Sequence, residues 1–276
     1  MDPLTQKYYS EKVSDATELY GTLKKGGIQD YFSRAFTPGS RILEIGAGSG
    51  RDLDALTRAG YDASGIDASG EMLEQALRRY PHLVGKYIPG SLPSDKSFFE
   101  TPFNGILCSA VLMHIADDQL LDAVYTIKRN LKPGGTLLLS TPGKRHEVDG
   151  DNRLPDGRLF IIRPPEFYSL FFERVGFREI LADEVSDALG RPGVRWSIQV
   201  FRRESEMLRS LDRIESVLNR DKKTATYKLA LMRALADIAL TGYNSALWYP
   251  HGRVGVPIKR IAAVRATGWS PQLEAA

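Results

Sequence analysis

Between residues 41 and 141 short apolar runs alternate with amphipathic ones. RILEIG (41–46), DASGID (62–67), KYIPG (86–90), NGILCSA (104–110) and TLLLST (136–141) have the length and content of strands. SGRDLDALTRAG (49–60), closed by Gly60, and GEMLEQALRRY (70–80) carry helical spacing between the first three. In DDQLLDAVYTIKRNL (117–131), Leu120, Val124, Ile127 and Leu131 fall on one helical face. Asp117 is placed to cap that helix and Lys132-Pro133-Gly134-Gly135 to stop it. Alternation of this kind predicts an α/β domain, a parallel sheet with helices on both faces.

The pattern breaks over residues 142–165, which hold Pro142, Pro155, Pro164 and Pro165 and the arginines Arg145, Arg153, Arg158 and Arg163. An irregular segment of this length inside a compact domain is often functional. EFYSLFFERVG (166–176) returns to helix, and two last strands are predicted near 177–183 and 194–202. From about Arg202 only helical patterns remain. Residues 205–220 are amphipathic, 224–240 are apolar on most of the circumference and read as a buried helix, and 256–266 form a short third helix. The predicted division is one domain over 1–203 and a small all-α domain over 204–276.

Composition narrows the class. With 276 residues, 42% hydrophobic and 26% charged, the chain is globular and long enough to bury a sizeable core. Its net charge of +3 excludes a uniform polycation but is unevenly spread. Residues 202–276 hold thirteen Lys or Arg against seven Asp or Glu, a net +6 that leaves −3 for residues 1–201. One Cys excludes a disulfide framework or a multi-Cys zinc site and fits a reducing compartment. The N-terminus is polar and no apolar run reaches membrane-spanning length, so the cytoplasm is the default location.

The residues with most chemistry are Glu44-Ile45-Gly46-Ala47-Gly48-Ser49-Gly50, where a strand ends, glycines turn the chain and a helix begins. A Walker phosphate loop would end in Gly-Lys-Ser/Thr, which is missing. A dinucleotide fingerprint needs Gly-x-Gly-x-x-Gly, and its sixth position falls on Arg51 or Leu53. What fits is Glu-x-Gly-x-Gly-x-Gly on the first strand with Asp67 ending the second. With LEIGAGSGRD (43–52), GIDASGEML (65–73), FNGILCSAVLMHI (103–115) and LKPGGTLLLSTP (131–142), the chain resembles a class I S-adenosylmethionine (SAM)-dependent methyltransferase over roughly residues 5–201.

The resemblance implies a Rossmann-like, three-layer fold with a mostly parallel seven-stranded sheet, a lid made by helices within residues 1–40, SAM as methyl donor and S-adenosylhomocysteine (SAH) as product. It implies that Gly46, Ala47, Gly48 and Gly50 pass beside the methionine and ribose and that Glu44 orients this loop. Asp67 would accept from both ribose hydroxyls, and Met72 or its neighbour Ala68 would pack on the adenine. Ser91, beside Leu92, stands where the family commonly has an acid to read the adenine amino group. Cys108 and Ser109 would line the methionine end. Arg51 reaches the SAM carboxylate or is an exposed helix-start residue. Asn104 stands where the family often has Asp.

Methyl transfer needs a base only if the acceptor must lose a proton before attack. Ser109-Ala110-Val111-Leu112 lacks the Asn/Asp-Pro-Pro-aromatic run of amino-directed DNA methyltransferases, and Cys108 precedes no Pro and belongs to a buried strand. Asp117 and Asp118 begin a helix, where acids are explained by its dipole, so no metal is predicted. His114 is the base candidate, against a His merely hydrogen-bonded in its loop; His146 is a weaker one. Tyr8 and Tyr9 are lid residues contacting substrate or core aromatics. Arg145, Arg153, Arg158 and Arg163 grip an anionic substrate or are solvated loop charges.

The expected activity is methyl transfer to a small-molecule acceptor. The alternative is a nucleic-acid-binding or nucleic-acid-modifying protein that uses the basic residues of 202–276. Residues 219–239, 247–250 and 256–262 resemble the helical region ahead of HNH-type nuclease modules, but no HNH residues follow. That resemblance implies a shortened or degenerate fusion.

Overall fold

The short apolar runs become the strands of one sheet. The computed structural model describes residues 2–14, 27–143, 148–191 and 193–205, all within the compact unit Met1–Arg209. The strands are β1 (Arg41–Ile45), β2 (Asp62–Asp67), β3 (Tyr87–Pro89), β4 (Phe103–Ser109), β5 (Leu131–Pro142), β6 (Phe177–Ser186) and β7 (Arg195–Arg203). They lie in the order β3-β2-β1-β4-β5-β7-β6. The pairs from β3 to β5 are parallel, and β7 is antiparallel to both its neighbours. This is the expected mostly parallel, seven-stranded sheet.

The helices are α1 (Pro3–Glu11), α2 (Phe32–Ala35), α3 (Arg51–Arg58), α4 (Gly70–Arg79), α5 (Asp117–Asn130) and α6 (Pro165–Arg174). Strand side chains alternate between two cores, as a period of two requires. Leu43, Ile45, Ile106, Leu137 and Leu139 face α5 and α6, meeting Leu120, Val124, Ile127 and Phe172. Ile42, Leu107 and Leu138 face the other way, toward Phe32, Leu53, Leu56 and Ala76. Both faces are therefore covered, which is why the strands read as continuous apolar runs. Each fully buried Leu or Phe contributes about 1.5–3 kcal/mol, so these layers fix where the strand ends and their loops sit.

Three local expectations are corrected. Asp117 does not cap α5: Ala116 holds the N-cap position without a side-chain bond, and Asp117 instead accepts from Arg163. Lys132-Pro133-Gly134-Gly135 does end the helix, but β5 starts at once, Leu131 pairing with Phe103 before a register shift absorbs the Pro-Gly excursion. β6 runs on to Ser186, beyond the expected 183. The helices expected at 205–220, 224–240 and 256–266, almost all of the 204–276 domain, and part of the N-terminal lid region (15–26) lie outside the described residues.

Candidate functional site

A cavity of about 330 Å³ opens at the carboxyl ends of β1, β2, β4 and β5, the edge where this sheet class holds ligands. The β1–α3 loop forms its floor. Gly46, Gly48 and Gly50 have φ of +72°, +50° and +75°, the left-handed region that favours glycine. At Gly46 space as well as angle excludes a side chain, because a Cβ would lie 2.5 Å from Val111 Cγ2. The amides of Gly46 and Ala47 both donate to the Ile66 carbonyl, at 2.9 and 3.0 Å. The Tyr87 hydroxyl donates to the Gly48 carbonyl at 2.8 Å. Tyr87 was not a sequence candidate; nothing in KYIPG announces that its hydroxyl reaches across to the loop.

Asp67 joins this loop to the next helix. Its carboxylate accepts the Gly48 amide at 2.8 Å and the Ser69 amide at 2.9 Å. Burial raises its pKa above the ordinary carboxylate value, opposed by the amides of Ser69, Gly48 and Ala68. Ser69 caps α4 by accepting from the Met72 amide at 3.2 Å, which seats Met72 in the cavity wall. Glu44 is 3% exposed, and its Oε2 has no hydrogen-bond partner. Burial and the nearby charge of Asp52 push its pKa far up, Arg51 pulls against them, and Asp67 adds to the rise. Leaving such a buried oxygen unpaired costs about 1–3 kcal/mol.

At the other end stands His114, 3% exposed. Its Nδ1 lies 2.6 Å from the Leu159 carbonyl oxygen. A carbonyl only accepts, so Nδ1 carries the hydrogen and Nε2 is left as acceptor. Nε2 lies 3.3 Å from the Tyr9 hydroxyl, whose oxygen accepts from Arg158 at 3.1 Å. Burial lowers the His114 pKa to about 4; Arg158 adds to the fall, against the Leu159 carbonyl, Asp156 and Asp2. Ala110, beside it, has φ +58°, unusual for a residue with a Cβ and found where a site holds the backbone.

Of the residues expected from sequence, Tyr9, Glu44, Gly46, Ala47, Gly48, Asp67, Met72, Ser109 and His114 line this cavity. The others are placed differently. Gly50 does not line it but forms the N-cap of α3. Ala68 gives its carbonyl to Gln6 of α1 at 3.1 Å. Leu92 is 1% exposed in the core, and its neighbour Ser91 stands off the cavity. Cys108 is sealed in the same core, where burial pushes its thiol up to about 12. Arg51 lines the cavity, but its guanidinium holds Asp52 with two bonds of 3.0 Å.

The loop arginines separate by role. Arg153 clasps Asp2 with two bonds, 3.2 and 3.0 Å, tying the loop to the start of α1 and holding the Asp2 carboxyl down to about 2. Arg163 is 5% exposed and spends its donors on Asp117 and the Leu112 and Ile115 carbonyls. Neither reaches the cavity; Arg158 does. Arg145 and His146 lie outside the described residues. Sequence reading also missed Phe160, Trp196 and the β6–β7 turn with Asp187 and Arg191, which complete the wall. No motif marks them: pairing of β7 with β5 and β6 brings Trp196 and the turn there, and Phe160 arrives on the irregular segment, its amide bonded to the Asn152 carbonyl. Among the described residues no group of three His, Cys, Asp or Glu is placed to hold a metal, and no helix is long and apolar enough to cross a membrane.

A family model described as a methyltransferase domain matches residues 16–183, more than half of the chain. The chain belongs to this family. A second model, a domain of unknown function (DUF8808), matches residues 207–272. The methyltransferase domain has curated relatives. The mitochondrial ubiquinone biosynthesis O-methyltransferase of Schizosaccharomyces pombe is 34% identical over 108 residues, 37% of this chain and 38% of that one. The ubiquinone biosynthesis O-methyltransferase of Alkalilimnicola ehrlichii is 30% identical over 133 residues, 47% of this chain and 49% of that one. The chain thus spans half or less of these relatives' own lengths. The Burkholderia thailandensis 1,6-didemethyltoxoflavin-N1-methyltransferase, crystallised with 1,6-didemethyltoxoflavin and SAH, has the same fold. It superposes with a TM-score of 0.59 at 17% identity, over 73% of this chain and 88% of that one.

Proposed function

We propose that this methyltransferase-family chain uses SAM to methylate a small-molecule acceptor, leaving SAH. The observation that carries the reading is one cavity holding, together, the Gly46–Gly48 turn, the Asp67 carboxylate, the orphaned Glu44 carboxyl and the His114 Nε2. These groups fit an amino-acid nucleoside. Asp67 keeps free lone pairs for a vicinal diol beyond its two amide bonds. Met72 offers an apolar, polarizable face to the adenine, in place of Ala68. Glu44 gains a polar partner, and the Cβ-free Gly46 lets the loop approach closely. Bound there, SAM supplies an electrophilic methyl group on a sulfonium. The chain supplies position, which accounts for much of the rate in an in-line displacement, and His114 Nε2 holds the proton of an acceptor that must lose one.

The ubiquinone-biosynthesis relatives support a small-molecule acceptor. The nucleic-acid alternative rests on residues that are almost all outside the described ones, and the relatives lend it no support. Within the described part, Arg203 turns inward to the Lys128 carbonyl at 2.8 Å and to the Leu131 carbonyl. A division near residue 203 remains part of the proposal, supported by the separate family models over 16–183 and 207–272. So does a cytoplasmic setting, supported by a single, unpaired cysteine. Calorimetric titration with SAM and SAH tests the reading. Wild type binds both and Asp67→Ala loses the affinity; no binding at high micromolar ligand overturns it.

A further inference from the structure

The wall beyond the glycine loop is built from rings. Tyr8, Tyr9, His114 and Phe160 make a continuous edge-to-face run, with centroid spacings of 5.3, 5.8 and 5.8 Å and interplanar angles of 86°, 73° and 76°. All four line the cavity. Behind them Met113 and Phe160 join Leu154 in a small apolar cluster, with Trp196 and Ala110 packed against it. Arg158 covers one face of Tyr8 at 4.2 Å; the ring surface left toward the cavity suits a flat conjugated guest, a gain beyond buried area that a saturated guest does not share.

His114 is the hydrogen-bond acceptor set into that run. Its tautomer is fixed by the Leu159 carbonyl, so Nε2 accepts. The Tyr9 hydroxyl that faces Nε2 does so at 3.3 Å, long for a bond from a hydroxyl, and a better-placed hydroxyl can replace it. Tyr9 then keeps its bond from Arg158. Nε2 is a weak base. A phenolic or enolic hydroxyl is more acidic than an aliphatic one and shares its proton with such a base more readily. A neutral amine attacks through its lone pair and leaves Nε2 unused.

We propose that the acceptor is a planar, conjugated compound bearing a phenolic or enolic hydroxyl, seated against Tyr8, Tyr9 and Phe160 with that hydroxyl donating to His114 Nε2. The proposal rests on the methyl-transfer reading above. In the transfer the O–H proton passes to Nε2. The oxygen forms the new O–CH₃ bond as the C–S bond of the sulfonium donor breaks, its electron pair staying on sulfur as the thioether. The proton on His114 then returns to solvent.

Binding to the full chain saturated with SAH tests this without turnover. The probes are naphthol, its methyl ether and the fully saturated decalinol, each titrated by calorimetry. Naphthol is expected to bind about tenfold tighter than either, one hydrogen bond or one set of ring contacts being at stake. In His114→Phe, titrated at saturating SAH, the ring run is kept and naphthol and its ether bind alike. In Phe160→Leu the advantage of naphthol over decalinol shrinks while its advantage over the ether persists. Equal binding of the three probes by SAH-bound wild type overturns the proposal alone. A hydroxyl preference that survives in His114→Phe overturns the role of His114. No SAH binding by wild type overturns the cofactor reading beneath it.

Discussion

Replacing Gly46 by Ala tests whether the turn is built for close approach. Two costs can be worked from the structure. Gly46 sits at φ +72°, where a Cβ costs about 1–2 kcal/mol. The new atom would lie 2.5 Å from Val111 Cγ2, and turning Val111 out of its rotamer adds about 0.5–1.5 kcal/mol. Together they cost about 1.5–3.5 kcal/mol of stability. Gly60→Ala separates the terms, because Gly60 has φ +86° but nothing within 4 Å of its Cβ position, so it loses only about 1–2 kcal/mol. Gly70→Ala has neither penalty and is expected to be neutral. Urea denaturation of the three variants and calorimetric titration with SAH give the readouts. Gly46→Ala is expected to be the least stable and to bind SAH at least about tenfold more weakly, as Val111 and the loop shift into the cavity. An unfolding midpoint and SAH affinity equal to wild type would refute the reasoning.

His114 sets an acid sensitivity. Its folded pKa of about 4 lies below the ordinary 6.5, so the unfolded chain binds the extra proton, and the stability from neutral burial is full above pH 6.5 and lost as pH falls toward 4. About 2.5 units correspond to roughly 3 kcal/mol; His114→Phe should flatten that part of the acid-unfolding curve, and an unchanged slope speaks against it. Arg163→Met removes four hydrogen bonds, two of them buried, and strands the Leu112 and Ile115 carbonyls. Because Asp117 is 80% exposed and can return to water, the expected loss by urea denaturation is about 2 kcal/mol, and a loss below about 0.5 kcal/mol contradicts the structural assignment. Cys108, buried with its thiol pushed up to about 12, should resist alkylation in the native chain and react fully once unfolded; rapid native labelling would place it on the surface.

The sheet was legible because its strands are apolar on both faces and its helices carry clean spacing. The runs read at 62–67 and 117–131 emerge as Asp62–Asp67 and Asp117–Asn130. The glycine turn was legible because a left-handed φ restricts residue type, and Asp67 because the resemblance marks the end of the second strand. The arginines of the 142–165 segment were not. Arg153, Arg158 and Arg163 look alike in sequence, yet one clasps Asp2, one stacks 4.2 Å over the Tyr8 ring and one is buried beneath α5. Their roles depend on contacts across 46 to 151 residues, and no local pattern encodes those. Leu92 and Cys108 entered the expected site by motif position; both side chains pack into the core, Cys108 from β4 and Leu92 from the irregular stretch after β3. Asp117 looked like a cap because its role is local in most helices, and here a distant guanidinium takes it.

A crystal structure of the chain with SAH tests the central claim most directly. The ribose hydroxyls should lie on the Asp67 carboxylate, the adenine on Met72 and the amino-acid end along Gly46, with the sulfur facing the His114 side of the cavity. SAH bound elsewhere, or seated there with its diol away from Asp67, would contradict the assignment.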